Sequence, residues 1–97
     1  MNQAEPYLIE YTPAAERELG RLPPGDAART RGPVLALGGE PRPYGAARVS
    51  GTDFWRIRVG HLRVVYLIDE ADRRVVIVRV ARRSESTYRR LRDEREG

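Results

Sequence analysis

Arginines alternate with apolar residues through Trp55-Arg56-Ile57-Arg58-Val59, and a second run of the same kind, Leu62-Arg63-Val64-Val65-Tyr66, follows after Gly60-His61. In a strand, side chains two apart point to the same face. Trp55, Ile57 and Val59 can therefore enter a core while Arg56 and Arg58 stand together on the opposite face. This spacing demands a sheet, because helical spacing would scatter the same residues around an axis. A sheet face that collects guanidinium groups is suited to phosphate, which makes RNA or DNA the first partner class to consider.

The flanking sequence supplies the rest of an α+β domain. Tyr7 to Tyr11 reads as a first strand. Thr12 can cap a helix that Pro13 opens, and Ala15, Leu19 and Leu22 form its apolar stripe. Arg17, Glu18 and Arg21 are expected on the solvent side, and Pro23-Pro24-Gly25 ends the helix. Asp26 to Leu37 reads as a second helix with Ala28, Leu35 and Leu37 partly buried and a kink or break at Gly32-Pro33. Residues 38–43 are rich in turn formers. Strands follow at Phe54–Val59, Leu62–Ile68 and from Val75 to Arg82 or Arg83, the last opening on a nearly continuous apolar run, Val75-Val76-Ile77-Val78. Ser84 can cap a short final helix, supported by Glu85 four residues before Arg89.

Composition limits the class. With 97 residues there is room for one domain, 1–97. The net charge of +4 lies wholly in the second half: residues 1–49 carry six Arg and six acids, and residues 50–97 carry twelve Arg and eight acids. Every basic residue is Arg, the side chain suited to bidentate phosphate contacts, although a coding bias toward Arg would leave the same composition. With no Cys and one His, disulfides and thiolate metal sites are excluded and a zinc centre is not expected. No apolar run is long enough to span a bilayer, and the N-terminus lacks the features of a signal peptide. The expectation is a cytoplasmic protein.

Arg79, Ala81 and Arg83 share one strand face. If that face also carries Arg56 and Arg58, with Arg63 opening the strand between them, the sheet presents a basic trough, and Tyr88 can fold over its end. Such a set could hold RNA phosphates, stack a base and stabilise a pentacoordinate phosphorane. The competing interpretation is a solvated arginine face that binds phosphate or an acidic partner without chemistry. Histidine is a residue type suited to proton transfer, but His61 sits in the hairpin turn, where a solvated side chain is the default.

At these residues the chain resembles the RelE/ParE superfamily of bacterial type II toxins. The resemblance covers nearly the whole chain: the Tyr7–Ile9 strand, the Ala15–Leu22 helix, the Pro41-x-Pro-x-Gly45 loop, the Trp55–Tyr66 hairpin, and Arg82-Arg83 followed by Tyr88. It implies a four-stranded antiparallel sheet, two N-terminal helices packed on it and a short C-terminal helix. The RelE branch cuts mRNA in the ribosomal A site without a metal or other cofactor, and Arg56, Arg58, Arg63, Arg83 and Tyr88 match its catalytic positions. By that resemblance Arg63 and Arg83 hold the scissile phosphate and Tyr88 stacks or orients a base. Familiar members carry Lys where this chain has Arg56 and Arg58. A guanidinium does not give up its proton, so the general base is unassigned, with Glu85 and His61 as candidates. The partners implied are a cognate antitoxin, the ribosome and mRNA, with operator DNA reached only through the antitoxin and no membrane. The ParE branch, which inhibits DNA gyrase, and a degenerate toxin that only binds antitoxin are the alternatives on the same fold.

Overall fold

A computed structural model describes residues 5–82. Strand β1 (Leu8–Tyr11) leads into helices α1 (Pro13–Arg21) and α2 (Pro24–Ala36), followed by β2 (Ala47–Arg48), β3 (Trp55–Val59), β4 (Leu62–Asp69) and β5 (Arg74–Arg82). The strands form one sheet in the order β1-β5-β4-β3-β2. The expected final helix, with Arg83, Glu85 and Tyr88, lies outside the described residues.

The sheet is mixed and five-stranded, not the four-stranded antiparallel sheet expected. Two features account for the difference. β2 is only two residues long, pairing Ala47 with Arg56 and Arg48 with Trp55, too short for alternation to show in sequence. β1 runs parallel to β5, with Leu8 opposite Arg74 and Tyr11 opposite Ile77; the helical segment between β1 and β2 carries the chain over one sheet face, so strand direction is set by that crossover and not by any local pattern.

α1 forms as its sequence dictates. The Thr12 hydroxyl accepts from Ala15 N at 3.1 Å, and Pro13 occupies the first turn. α2 departs from expectation in two ways. It runs unbroken through Pro33, and the residues it buries are Thr30, Val34 and Leu37, while Leu35 is 62% exposed and Ala28 is exposed. The spacing 30, 34, 37 is the i, i+4, i+7 stripe of a helix. Thr30 joins it because its hydroxyl donates to Ala27 O at 2.8 Å within the helix, which removes the penalty for burying a polar group.

The main core lies between the helices and one face of the sheet, where Ala15, Val34 and Leu37 meet Ile57, Val59, Val64, Tyr66, Val75, Ile77 and Val80. A smaller cluster, Val49 and Val65 with Phe54 and Val78, covers part of the opposite face. Gly60, at a φ of 61°, supplies the left-handed residue that lets Val59 and Leu62 close the β3–β4 hairpin over two residues.

Candidate functional site

Directly opposite residues in an antiparallel pair share a face, so register locates the arginines. Arg58 stands across from Arg63, and Arg63 from Ala81. The adjacent same-face row is Arg56, Val65 and Arg79. Arg56, Arg58, Arg63 and Arg79 therefore share the face away from the helices. The register thus sets two like charges, Arg58 and Arg63, directly opposite one another across β3 and β4.

A bulge makes this arrangement possible. Between Val65 and Tyr66 the β4–β5 register shifts: Tyr66 lies across from Ile77 and Val65 from Arg79, so Val78 is the extra residue on β5. In uninterrupted alternation from Val75 and Ile77, Arg79 would point into the main core. The extra residue turns Arg79 and Ala81 to the arginine face and sends Val80 inward, where it is 2% exposed.

The four arginines are not equivalent. Arg58 is exposed and Arg56 half-buried, with Arg56 Nη1 donating to Gly45 O at 3.4 Å. Arg63, across from Arg58 on β4, is 5% exposed. Arg79 is committed to the fold. Its Nε donates to Glu18 Oε2 at 2.9 Å, and Glu18 Oε1 accepts the Val80 backbone N–H at 2.8 Å. Glu18 thus lies against β5 just past the end of β1 instead of facing solvent, and occupies the edge that β1 leaves unpaired. The sequence carried a signal for this: position 18 is three residues after Ala15 and four before Leu22, on the same stripe.

His61, a candidate for proton transfer, lies at the hairpin tip with Nε2 3.4 Å from Asp26 Oδ2 at the start of α2, a contact that ties the hairpin to a helix. Trp55, expected in the core, is half-buried at its margin, with the guanidinium groups of Arg42 and Arg48 at 5.3 and 5.5 Å from its ring. The Tyr66 phenol is wholly buried and donates to Pro41 O at 2.7 Å. Burial pushes its pKa up to about 12, so it is a fixed donor and not an acid at neutral pH. Arg83 and Tyr88 lie outside the described residues, and the face is therefore described through Arg56, Arg58 and Arg63.

The open guanidinium groups can neutralise a phosphate and its developing negative charge, and none can accept a proton. Among the described residues no group of His, Cys, Asp or Glu is arranged to hold a metal ion.

Comparison with known proteins places this geometry in a family. Residues 9–87 match the family model described as the ParE toxin of the type II toxin–antitoxin system parDE. A toxin RelE from Mycobacterium tuberculosis is 36% identical over 93 residues, spanning 89% of this chain and 91% of the relative. The toxin–antitoxin complex RelBE2 from Mycobacterium tuberculosis aligns with a TM-score of 0.70 at 32% identity, over 80% of this chain and 99% of that one. A mutant of the E. coli toxin RelE in the free state aligns with a TM-score of 0.77 over 93% of this chain and 97% of that one; at 17% identity it speaks to the fold alone. A sheet with two helices on one face and arginines on the other, matched by sequence and by structure, identifies the chain as a RelE-like member of the RelE/ParE toxin family of type II toxin–antitoxin systems.

Proposed function

We propose that this chain is a ribosome-dependent endoribonuclease that cuts mRNA in the A site and is neutralised by a cognate antitoxin. The observation that carries this reading is the convergence of Arg56, Arg58 and Arg63 from facing strands onto one sheet face. In RNA the nucleophile belongs to the substrate. The 2′-oxygen forms a bond to phosphorus as the bond to the 5′-oxygen breaks. The 2′-hydroxyl loses its proton, the leaving oxygen gains one, and the products are a 2′,3′-cyclic phosphate and a 5′-hydroxyl. Alignment and charge neutralisation are what a protein must add. Arg56 and Arg58 are open to an incoming phosphate. Arg63, beside Arg58 on the neighbouring strand and nearly enclosed, supplies a charge in a site of low dielectric, where it acts more strongly than in water. Arg83, two positions after Ala81 in the sequence, is the further phosphate ligand, and Tyr88 stacks or orients a base.

Primer extension on mRNA carried by translating ribosomes tests this, using antitoxin-free wild type and Arg83→Ala. The expected result is A-site cuts by the wild type and a loss of about 100-fold or more in the variant, the effect typical of removing one oxyanion donor. Growth arrest should disappear with the cuts and be relieved in the wild type by co-expressing the antitoxin. Absence of cuts from folded wild type overturns the nuclease reading. The match to the ParE toxin model favours one second reading, inhibition of DNA gyrase, which a supercoiling assay on the same preparations would detect.

A further inference from the structure

Tyr44 stands at the apex of a tight turn with its side chain wholly in solvent, at 107% relative exposure. The Ala46 N–H donates to Pro43 O at 2.9 Å, and Gly45 holds a φ of 93°, a conformation that strains any residue with a side chain. The turn is fastened on both sides. Before it, the Tyr66 hydroxyl holds Pro41 O, and Arg42 pairs with Glu70 at 2.7 Å while lying over the Trp55 ring. After it, Arg56 Nη1 donates to Gly45 O. A large aromatic residue is thus displayed on a fixed backbone without packing against anything described.

The turn stands beside a notch. β2 pairs with β3 only at Trp55 and Arg56, so beyond Arg56 the outer edge of β3 has no strand against it among the described residues. The space left there, about 340 Å³, is lined by Tyr44, Gly45, Arg56, Ile57 and Arg58. That volume is at the small end of ligand sites, room for a single planar group with an attached anion. An aromatic face beside two guanidinium groups, on backbone fixed in advance, matches the chemistry of single-stranded RNA, which offers a base to stack and a phosphate to pair. An acidic peptide would satisfy the arginines and leave the ring unused.

We infer that Tyr44 is a base-stacking residue of a nucleotide subsite in this notch, adjoining the phosphate held at Arg56 and Arg58. This inference rests on the RNA-directed reading above and extends it to the neighbouring nucleotide. Tyr44 acts on affinity through stacking, so Phe and Trp should replace it and Ala should not.

The test is fluorescence anisotropy of a short single-stranded RNA with 2′-O-methyl riboses, which blocks the nucleophile, titrated with the full antitoxin-free chain. Tyr44→Ala should weaken binding about tenfold without altering the salt dependence or the melting temperature. Tyr44→Phe and Tyr44→Trp should stay within about twofold, with the introduced indole quenched on binding. Equal affinity for wild type and Tyr44→Ala overturns the inference, as does a loss in Tyr44→Phe as large as in Tyr44→Ala, or absence of RNA binding by the wild type. A synthetic poly-glutamate peptide that shows the Tyr44 dependence while RNA does not would overturn it in favour of a protein contact. Ribosomal cleavage separates the two ideas. Cuts by the wild type with Tyr44-independent RNA binding remove the subsite alone, and Tyr44-dependent RNA binding without cuts removes the nuclease alone.

Discussion

At the scale of single residues, Glu18 does more for the fold than its place on a short polar helix indicates. Its two carboxylate oxygens receive a guanidinium N–H and a backbone N–H, both close to the core. Arg79 is 8% exposed, so removing its partner leaves a charge that water cannot reach. Breaking such a pair costs about 3–5 kcal/mol, and the Val80 N–H loses its acceptor as well. Glu18→Ala should therefore lower the melting temperature by about 15 °C or more. Glu18→Gln, which keeps an acceptor for Val80, should fall between the two. A melting curve for Glu18→Ala within about 3 °C of wild type would refute a structural role for the pair. The basic half of the chain was legible in the sequence because strand alternation is local. The sorting of its arginines into open, enclosed and neutralised was not, because Glu18 and Arg79 come from elements distant in the chain.

At the scale of elements, the β4–β5 bulge decides which side chains meet. A continuous apolar run such as Val75 to Val78 has no alternation from which a register shift can be read, so the sequence leaves open which face Arg79 takes. Deleting Val78 should restore simple alternation while leaving Arg79 on the arginine face and Val80 in the core, because Arg79 then directly follows the inward-facing Ile77. The expected outcome is a cooperative thermal transition in circular dichroism, at a temperature lowered by the loss of Val78 from the smaller cluster on that face. A deletion variant with no cooperative transition would mean that the bulge itself, and not alternation alone, is needed to pair β5 with β4. Elements with local signals were readable: the Thr12–Pro13 helix start and the Gly60–His61 hairpin both formed as their residues require. β2 was hidden by its two-residue length. The buried stripe of α2 was obscured because Thr30, polar by name, satisfies itself within the helix.

At the scale of the molecule, charge is separated along the sheet. Asp69 and Asp72 surround Arg74 at the β4–β5 hairpin, with Glu10 of β1 also paired to it, whereas Arg58, Arg63 and Arg82 lie toward the opposite ends of their strands. Buried Tyr66 and half-buried Tyr11 give the molecule an alkaline limit. Burial pushes the Tyr66 phenol up to about 12 and raises that of Tyr11, while an unfolded chain releases these protons near pH 10. Between those values the unfolded state binds fewer protons, so stability falls as pH rises, by about 1.4 kcal/mol per pH unit for each phenol still protonated in the fold. Urea midpoints should decline from about pH 10 upward, and Tyr66→Phe should reduce that slope while starting from lower stability at neutral pH; an unchanged slope would exclude Tyr66 as its source. Overall topology was the least legible level, because the pairing of β1 with β5 joins segments from opposite ends of the chain. That pairing has a consequence for biosynthesis. Leu8 to Tyr11 can find their place only after Arg74 to Ile77 exist, and bringing such distant segments together carries a loop-closure cost that nearby contacts do not. During translation the N-terminal strand waits for the last strand of the described sheet, so a message interrupted before Arg74 leaves β1 without its neighbour and the sheet unfinished.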